Sequence, residues 1–395
     1  MTRRVNRPHH AAFAGALALS TLVAPSIGAA MAVPVAVTKT GGSITAYTAD
    51  GTRAAFATST NSASCPAPAV GVQQVSEVGL GTRTETLLKS YPGCDAGVGP
   101  GVGARTDRWL ALSATTAYWL DGTAGATNTY SSVAAARPGI AARFSSAAVA
   151  TLYASGVGPR TIGTGLGPLV AGGGSVAVNQ TTTDFVSSTG CNAFGNGTGG
   201  LATDCALVVT ASGALSVSAL PSTSTLFETP RGTTSTLLDV SGQRLLLRDA
   251  SGALALVTGT VRTELRPGTA SAGAIGSNLV VGLRRTARGG ALTYWDDAGR
   301  RTGSCAFLTG GVLARVAVRG RVAVYATRRG LFAVHAASSN RRRCGAHRLV
   351  TLGKGRLVSF ALTPGGGLSY AVNIGAAGTI FRLTPAALRS LGYIV

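Results

Sequence analysis

Short apolar runs separated by turns that contain glycine recur along the chain. In residues 241–258, "SGQRLLLRDASGALALVT", two apolar runs flank the turn sequence "DASG" at 249–252. Asp and Gly are favoured in tight turns, and glycine readily reaches the positive φ that hairpin loops require. The segment is therefore predicted to be a β-hairpin.

The same pattern returns at nearly regular intervals. Hairpins of this kind centre on Gly213, Gly252, Gly290, Gly330 and Gly378, which are 39, 38, 40 and 48 residues apart. A short apolar run precedes and follows several of them, as in "LARVAV" and "HRLVTL". Four short strands in each unit of about 40 residues is the spacing of a β-propeller blade.

The predicted fold is all-β, a β-propeller of four-stranded antiparallel blades. The segments "SITAYTADGTRAAFAT" and "RWLALSATTAYWLDG" extend the hairpin pattern into the amino-terminal half. Insertions are predicted near 58–106 and 191–205, where the pattern is lost. With these insertions the chain accommodates seven blades, and six to eight are compatible with the spacing. A single helix is predicted, at 385–391, opened by Pro385.

On this architecture, the chain resembles secreted bacterial β-propellers of the broad TolB-like or WD40-like kind. The resemblance is carried by the four-strand unit and not by shared signature residues. Trp295-Asp296 is the single W-D pair, whereas WD40 repeats would carry one in each unit. The resemblance therefore implies a propeller fold and assigns no site residues.

Residues 1–32 are predicted to be an export signal. A start with three arginines precedes a mostly apolar run at 11–30, and "AMA" at 30–32 fits a small-x-small cleavage site. Pro25 and Gly28 interrupt the apolar run, which argues against the alternative of a permanent membrane anchor. We expect residues 33–395 to form a single propeller domain, secreted or held in the cell envelope, without a transmembrane segment.

An even number of cysteines follows the predicted signal, as expected of disulfides in an oxidising compartment. Sequential pairing, the simplest of fifteen connectivities, joins Cys65 to Cys94, Cys191 to Cys205 and Cys305 to Cys344. Zinc binding is the competing interpretation, but there is no C-x-x-C motif and only two histidines follow the signal. We expect neither a metal nor another cofactor.

The chain is strongly basic. Without the three arginines of the signal, the formal net charge of +21 becomes +18, and nearly all the cations are arginine. Such a charge favours anionic partners, although the arginine excess is also typical of a GC-rich genome. We expect the protein to be a monomer. Its expected partner is a cell-wall or extracellular polyanion, or another protein.

Successive turns of a meander alternate between the two rims of a propeller, which sorts the arginines. The candidate binding residues lie on the central hairpins of two units and hence on one rim: Arg284, Arg285, Arg288, Arg328 and Arg329. A second set is expected on the other rim: Arg300, Arg301, Arg319, Arg321 and Arg341–Arg343. Because both rims are basic, ordinary solvated arginine is an alternative to polyanion binding.

No catalytic set is evident. The elbow G-x-S-x-G is absent, His335 and His347 are expected to have structural roles, and Asp296-Asp297 opens a turn. The leading hypothesis is a non-catalytic binding or scaffold module in the cell envelope or extracellular space. The alternative is an extracellular glycan hydrolase or lyase that uses loop carboxylates, which an axial pocket lined by acids would favour.

Overall fold

The structure is a computed structural model. It describes residues 33–60, 72–91, 98–100, 107–113, 116–124, 129–137, 140–144, 165–183, 202–210, 223–228, 235–259, 261–266, 269–336, 340–363 and 367–390. Contacts divide the chain into two compact units, Met1–Ala30 and Met31–Val395, and all the described residues belong to the second. The predicted signal at 1–32 lies outside the described residues.

The strands form seven sheets, called blades 1 to 7 in chain order. The first strand of the chain, β1 (Val35–Lys39), belongs to blade 7. Blade 1 contains β2 (Ser43–Asp50), β3 (Arg53–Ser59), β4 (Gln73–Gly79) and β5 (Glu85–Tyr91). Blade 2 contains β6 (Val98–Pro100), β7 (Leu110–Ser113), β8 (Thr116–Ala124), β9 (Thr129–Arg137) and β10 (Ile140–Phe144). Blade 3 contains β11 (Gly165–Gly172), β12 (Ser175–Thr183), β13 (Ala202–Thr210) and β14 (Thr223–Glu228).

The remaining blades follow the same order. Blade 4 contains β15 (Ser235–Ser241), β16 (Arg244–Asp249), β17 (Leu254–Thr258) and β18 (Val261–Leu265). Blade 5 contains β19 (Ala272–Ile275), β20 (Val280–Thr286), β21 (Gly289–Trp295), β22 (Arg301–Phe307) and β26 (Asn340–Arg341). Blade 6 contains β23 (Val312–Arg319), β24 (Val322–Thr327), β25 (Gly330–His335) and β27 (His347–Thr351). Blade 7 contains β28 (Arg356–Leu362), β29 (Leu368–Ile374), β30 (Ala377–Leu383) and β1.

The prediction of an all-β propeller with seven antiparallel blades is confirmed. Two blades depart from the simple four-stranded order. In blade 2, β6 and β7 pair with successive parts of β8 and so form two halves of one first strand. In blade 5, β26 adds a fifth strand that runs parallel to β22.

Both ends of the described chain meet in blade 7. There β1 pairs antiparallel with β30, with Val35 opposite Arg382 and Lys39 opposite Thr379. The first strands of consecutive blades contact each other in turn, and β28 of blade 7 contacts β2 of blade 1. The blades therefore form a ring in which pairing between distant parts of the chain fastens the last blade.

The apolar core lies between neighbouring blades. Each of its clusters combines residues of adjacent sheets, as where Leu246 and Leu256 of blade 4 pack with Val280 and Trp295 of blade 5. Because each sheet is covered on both faces, its strands are apolar at nearly every position, as in β24, where all six residues are buried. Fully burying a leucine or valine contributes about 1.5–3 kcal/mol.

The glycines that mark the repeat have two different roles. Gly252 adopts a φ of +88° in the turn between β16 and β17, as predicted for a hairpin loop. Gly330 begins β25, where an added Cβ would lie 2.1 Å from the carbonyl oxygen of Val350. Gly330 is therefore required by the close approach of a neighbouring strand. The first run of the hairpin predicted around Gly213 lies in β13, and its turn and second run lie outside the described residues.

The segment 58–106, predicted to be an insertion, contains three blade strands instead. It contains β4 and β5, which complete blade 1, and β6 of blade 2. The apolar pattern does not predict β4 and β5, because "QQVSEVG" and "ETLLKSY" are rich in polar residues. Nearly all of the second predicted insertion, 191–205, lies outside the described residues.

The predicted helix is present as α1 (Pro385–Ser390). Thr384 caps it, because its Oγ1 accepts a hydrogen bond of 3.2 Å from the N–H of Ala387. The pairing of Cys305 with Cys344 is observed as a disulfide. Cys65, Cys94, Cys191 and the side chain of Cys205 lie outside the described residues.

Candidate binding face and axial cavity

The two rims of the ring are distinguished by the turns that form them. Face A carries the turns that join the second and third strands of each blade and the connections between blades. Face B carries the other turns of each blade. In blade 6, for example, the turn between β24 and β25 lies on face A, whereas the turn between β23 and β24 lies on face B.

All five arginines proposed from the sequence lie on face A, in two neighbouring blades. Arg284 and Arg285 lie near the end of β20, and Arg288 lies in the turn between β20 and β21. Arg328 and Arg329 form the equivalent turn of blade 6. All five side chains are exposed. The ring therefore places residues more than 40 positions apart on one basic arc.

Arg300, Arg301, Arg319 and Arg321 of the second set lie on face B, as expected, and two of them have partners there. The prediction was wrong for Arg341–Arg343, which lie along the outer edge of blade 5, because β26 runs parallel to the middle of β22. Arg300 is paired with Asp296 at 2.7 Å. Arg301 donates hydrogen bonds to Ser304 Oγ at 2.7 Å and to Asn340 Oδ1 at 3.0 Å. Arg341–Arg343 are exposed and lie in the basic segment that β26 and the 305–344 disulfide hold beside β22.

A cavity of about 610 Å³ occupies the centre of the ring. Its walls come from the first strands of six of the seven blades, and it reaches face A at Lys354 and Gly375. Lys354 and Arg356 are exposed and bring two further positive charges to this mouth. The cavity therefore opens toward the face that carries the five arginines.

Charged side chains from different blades meet inside the cavity. The Arg108 guanidinium of blade 2 donates a hydrogen bond of 2.6 Å to the carbonyl oxygen of Leu238 in blade 4. Arg315 of blade 6 forms an ion pair with Asp107 of blade 2. Two arginines thus cross the axis, and each links first strands that are not adjacent in the ring.

Asp239 of blade 4 lines the cavity and bonds to the backbone with both carboxylate oxygens. Oδ1 accepts from the N–H of Val240 at 2.9 Å, and Oδ2 accepts from the N–H of Ile275 in blade 5 at 2.8 Å. Burial raises the pKa of Asp239 to about 6, although these hydrogen bonds and nearby Arg108 oppose the shift. Burial likewise lowers the pKa of the Arg108 guanidinium. The Asp239 carboxylate therefore links blade 4 to blade 5 through a hydrogen bond.

Sequence reasoning missed this axial cluster. In blades 1, 3, 4, 6 and 7, the register between the first and second strands shifts, as between Leu237 and Asp239 and between Val312 and Val316. A bulge redirects side chains, and Asp239 and Arg315 lie at or within these irregularities. A polar residue inside the apolar first run of a unit, as in "TSTLLDV" and "LARVAV", was the available signal.

Asp296, His335 and His347, which were considered as catalytic candidates in the sequence, lie in a turn or on the exposed surface. Asp296 shapes its turn, because Oδ1 accepts from the N–H groups of Ala298 at 3.1 Å and Arg300 at 2.8 Å. These bonds and the Arg300 charge hold the pKa of Asp296 below its usual value. His335 is exposed, although its apolar neighbours predicted partial burial, and His347 is exposed as well.

Among the described residues, no group of three or more His, Cys, Asp or Glu side chains is arranged to hold a metal ion. No helix there is both long enough and apolar enough to cross a bilayer.

Comparisons with known proteins support the fold. The β-propeller domain of the trilobed protease from Pyrococcus furiosus aligns with a TM-score of 0.50 and 7% identity, over 86% of this chain and 92% of that one. That domain has an open velcro topology. Here, by contrast, β1 pairs with β30 and fastens the ring.

Two further structures align less closely. One prolyl endopeptidase aligns with a TM-score of 0.42 and 13% identity, over 84% of this chain and 45% of that one. TolB from Acinetobacter baumannii aligns with a TM-score of 0.36 and 12% identity, over 67% of this chain and 54% of that one. The chain thus spans about half the length of each. No protein-family model and no curated sequence matches the chain.

Proposed function

We propose that this protein is an exported, non-catalytic β-propeller that binds an anionic polymer of the cell envelope through face A. The observation that carries the proposal is the arc of Arg284, Arg285, Arg288, Arg328 and Arg329, exposed on adjacent blades. A polymer with regularly spaced negative charges gains by displacing counterions along such an arc.

Face A is a better candidate than face B for two reasons. On face B, Arg300 and Arg301 are engaged with Asp296, Ser304 and Asn340. On face A, Lys354 and Arg356 at the mouth of the cavity extend the positive region toward the axis. Long-range attraction to a polyanion should therefore be strongest at face A.

The test is the salt dependence of binding to immobilised poly(glycerol phosphate) and to heparin. We expect the logarithm of the affinity to fall linearly with the logarithm of the salt concentration. Replacing all five arginines of the arc by alanine should reduce that slope by up to about 4.5, at about 0.7–0.9 for each charge contact.

A matched control removes the same net charge from face B, by replacing Arg262, Arg300, Arg301, Arg319 and Arg321 with alanine. We expect this variant to keep most of the slope. Equal losses in the two variants would show that net charge alone governs retention and would refute the assignment to face A. Amino-terminal sequencing of the exported protein tests the export signal, and we expect Val33 as the first residue.

A second candidate, an extracellular glycan hydrolase or lyase, is favoured by one observation. Two carboxylates, Asp107 and Asp239, lie in the axial cavity, and the pKa of Asp239 is raised to about 6, in the range of a general acid. However, Asp107 is paired with Arg315, and both oxygens of Asp239 accept backbone hydrogen bonds. Turnover of a glycan that disappears in both Asp107→Asn and Asp239→Asn would establish this function instead.

A further inference from the structure

A cleft lies between blades 4 and 5 on face A, beside the basic arc. It has a volume of about 460 Å³ and lies between the turn 249–252 of blade 4 and the connection 269–271 that leads into blade 5. Arg248, Arg284 and Arg285 line it. We propose that this cleft, hereafter the 4–5 cleft, binds a phosphate or sulfate ester carried on a sugar or polyol unit.

The proposal rests on the proposed function and assigns the chemical group that face A recognises. Strand alternation turns the side chains of Arg248 and Arg284 toward this depression, because Leu246 and Val280 on the same faces pack between blades 4 and 5. Arg285 lines the cleft with its backbone, and Arg288, Arg328 and Arg329 do not line it. Guanidinium groups match the oxygens of phosphate and sulfate in geometry and charge. The volume lies within the range of small-molecule sites and exceeds what a bare oxyanion fills, which leaves room for the unit that carries the ester.

Arg248 is held in place by the protein. Its Nη1 donates a hydrogen bond of 3.0 Å to the carbonyl oxygen of Ser271, across the cleft. Ser271 is itself fixed, because its Oγ accepts from the N–H of Arg285 at 3.2 Å. A guanidinium has five N–H groups, so the bond to Ser271 orients Arg248 while leaving donors for a ligand.

The single described acidic residue of the 4–5 cleft, Asp249, belongs to the turn. Its Oδ1 accepts from Ser251 Oγ at 2.6 Å and from the N–H of Ala253 at 2.9 Å. Although partial burial raises the pKa of Asp249, these bonds outweigh that effect and lower it. Asp249 is therefore ionised near neutral pH, and with the side chains of Arg248 and Arg284 the cleft has a formal charge of +1.

The walls of the cleft are also fixed to each other. The N–H of Ala270 donates a hydrogen bond of 2.8 Å to the carbonyl oxygen of Gly252, which ties the turn of blade 4 to the connection before blade 5. Thr236, Ser251, Thr269 and Ser271 contribute hydroxyl groups to the lining. A site built from held donors loses less conformational entropy on binding than a set of free surface arginines.

The test is calorimetric titration of the full purified chain with glucose 6-phosphate, glucose 6-sulfate and glucose at low ionic strength. We expect both esters to bind and glucose to show no heat of binding. The relative affinities of the two esters identify the preferred oxyanion. Equal binding of glucose, or no binding of either ester, would refute the proposal.

Two variants locate the site. Arg248→Gln and Arg284→Gln should each weaken ester binding about tenfold or more, as expected for loss of a charge-assisted hydrogen bond. Arg288→Gln removes one charge from the same face outside the cleft and should change the affinity less than about twofold. Equal weakening in all three variants would show attraction to the face as a whole and would overturn the assignment to the cleft. Arg284→Gln keeps the test valid if Arg248→Gln disturbs folding, because the bond to the Ser271 carbonyl comes from Arg248 and not from Arg284.

The two proposals fail in distinguishable ways. If the chain binds poly(glycerol phosphate) with the expected salt dependence but no simple ester, the function stands and the 4–5 cleft is not the recognition site. If neither the polymer nor the ester binds, both proposals are wrong.

Discussion

Asp239 makes the stability of the ring depend on pH in a direction opposite to that of most carboxylates. Burial raises its pKa from 3.8 to about 6, so the folded chain retains this proton at a pH where the unfolded chain has released it. The contribution of the Asp239 carboxyl to the free energy of unfolding is therefore greatest below pH 3.8 and falls as the pH rises to about 6. At 1.36 kcal/mol for each pKa unit, the ionised form costs at most about 3 kcal/mol, and water in the cavity reduces this value.

The assay compares the free energy of unfolding of the native protein and of Asp239→Asn in urea at a series of pH values. We expect the stability of the native protein relative to the variant to fall by up to about 3 kcal/mol between pH 4 and pH 7. Asp249→Asn is the control of opposite sign, because the lowered pKa of Asp249 makes its contribution decrease as the pH falls. A difference between native protein and Asp239→Asn that stays constant, or grows with pH, would refute the reasoning.

Two further predictions concern how the blades are held. Replacing Cys305 and Cys344 with serine opens a link between positions 39 residues apart, and chain entropy predicts a loss of about 4 kcal/mol, measured by chemical unfolding; an unchanged midpoint would contradict it. Gly330→Ala should cost about 1–3 kcal/mol because its Cβ would meet the Val350 carbonyl, whereas Gly310→Ala, with open space around it, should be nearly neutral; equal melting temperatures would refute the packing argument.

Local pattern predicted the blades because each hairpin carries its own signal. The turn at Gly252 combines Asp, Ser and Gly between two apolar runs, and the structure places a hairpin there. Blade 1 was only half recognised, since β4 and β5 contain polar residues that conceal the strand pattern. The parallel addition of β26 to blade 5 could not be read locally, because it depends on the 305–344 disulfide and on a partner strand more than 30 residues away.

The candidate binding face was predictable from the sequence in part, whereas the axial cluster was not. Alternation of turns between rims correctly placed Arg284 and Arg328 on one face, because it follows from strand order alone. The convergence of Arg108, Asp239 and Arg315 on the axis could not be predicted, since these residues meet only when the ring closes. The contribution of Arg248 to the 4–5 cleft likewise depends on how blade 4 packs against blade 5.

Hydrogen exchange of the chain, measured with and without poly(glycerol phosphate), tests most directly whether face A is the binding surface. The account predicts that the polymer slows exchange in the face A turns of blades 4, 5 and 6, at residues 249–253, 286–289 and 327–330. Slower exchange confined to the face B segments 298–302 and 318–322, or no change in either set, would contradict it.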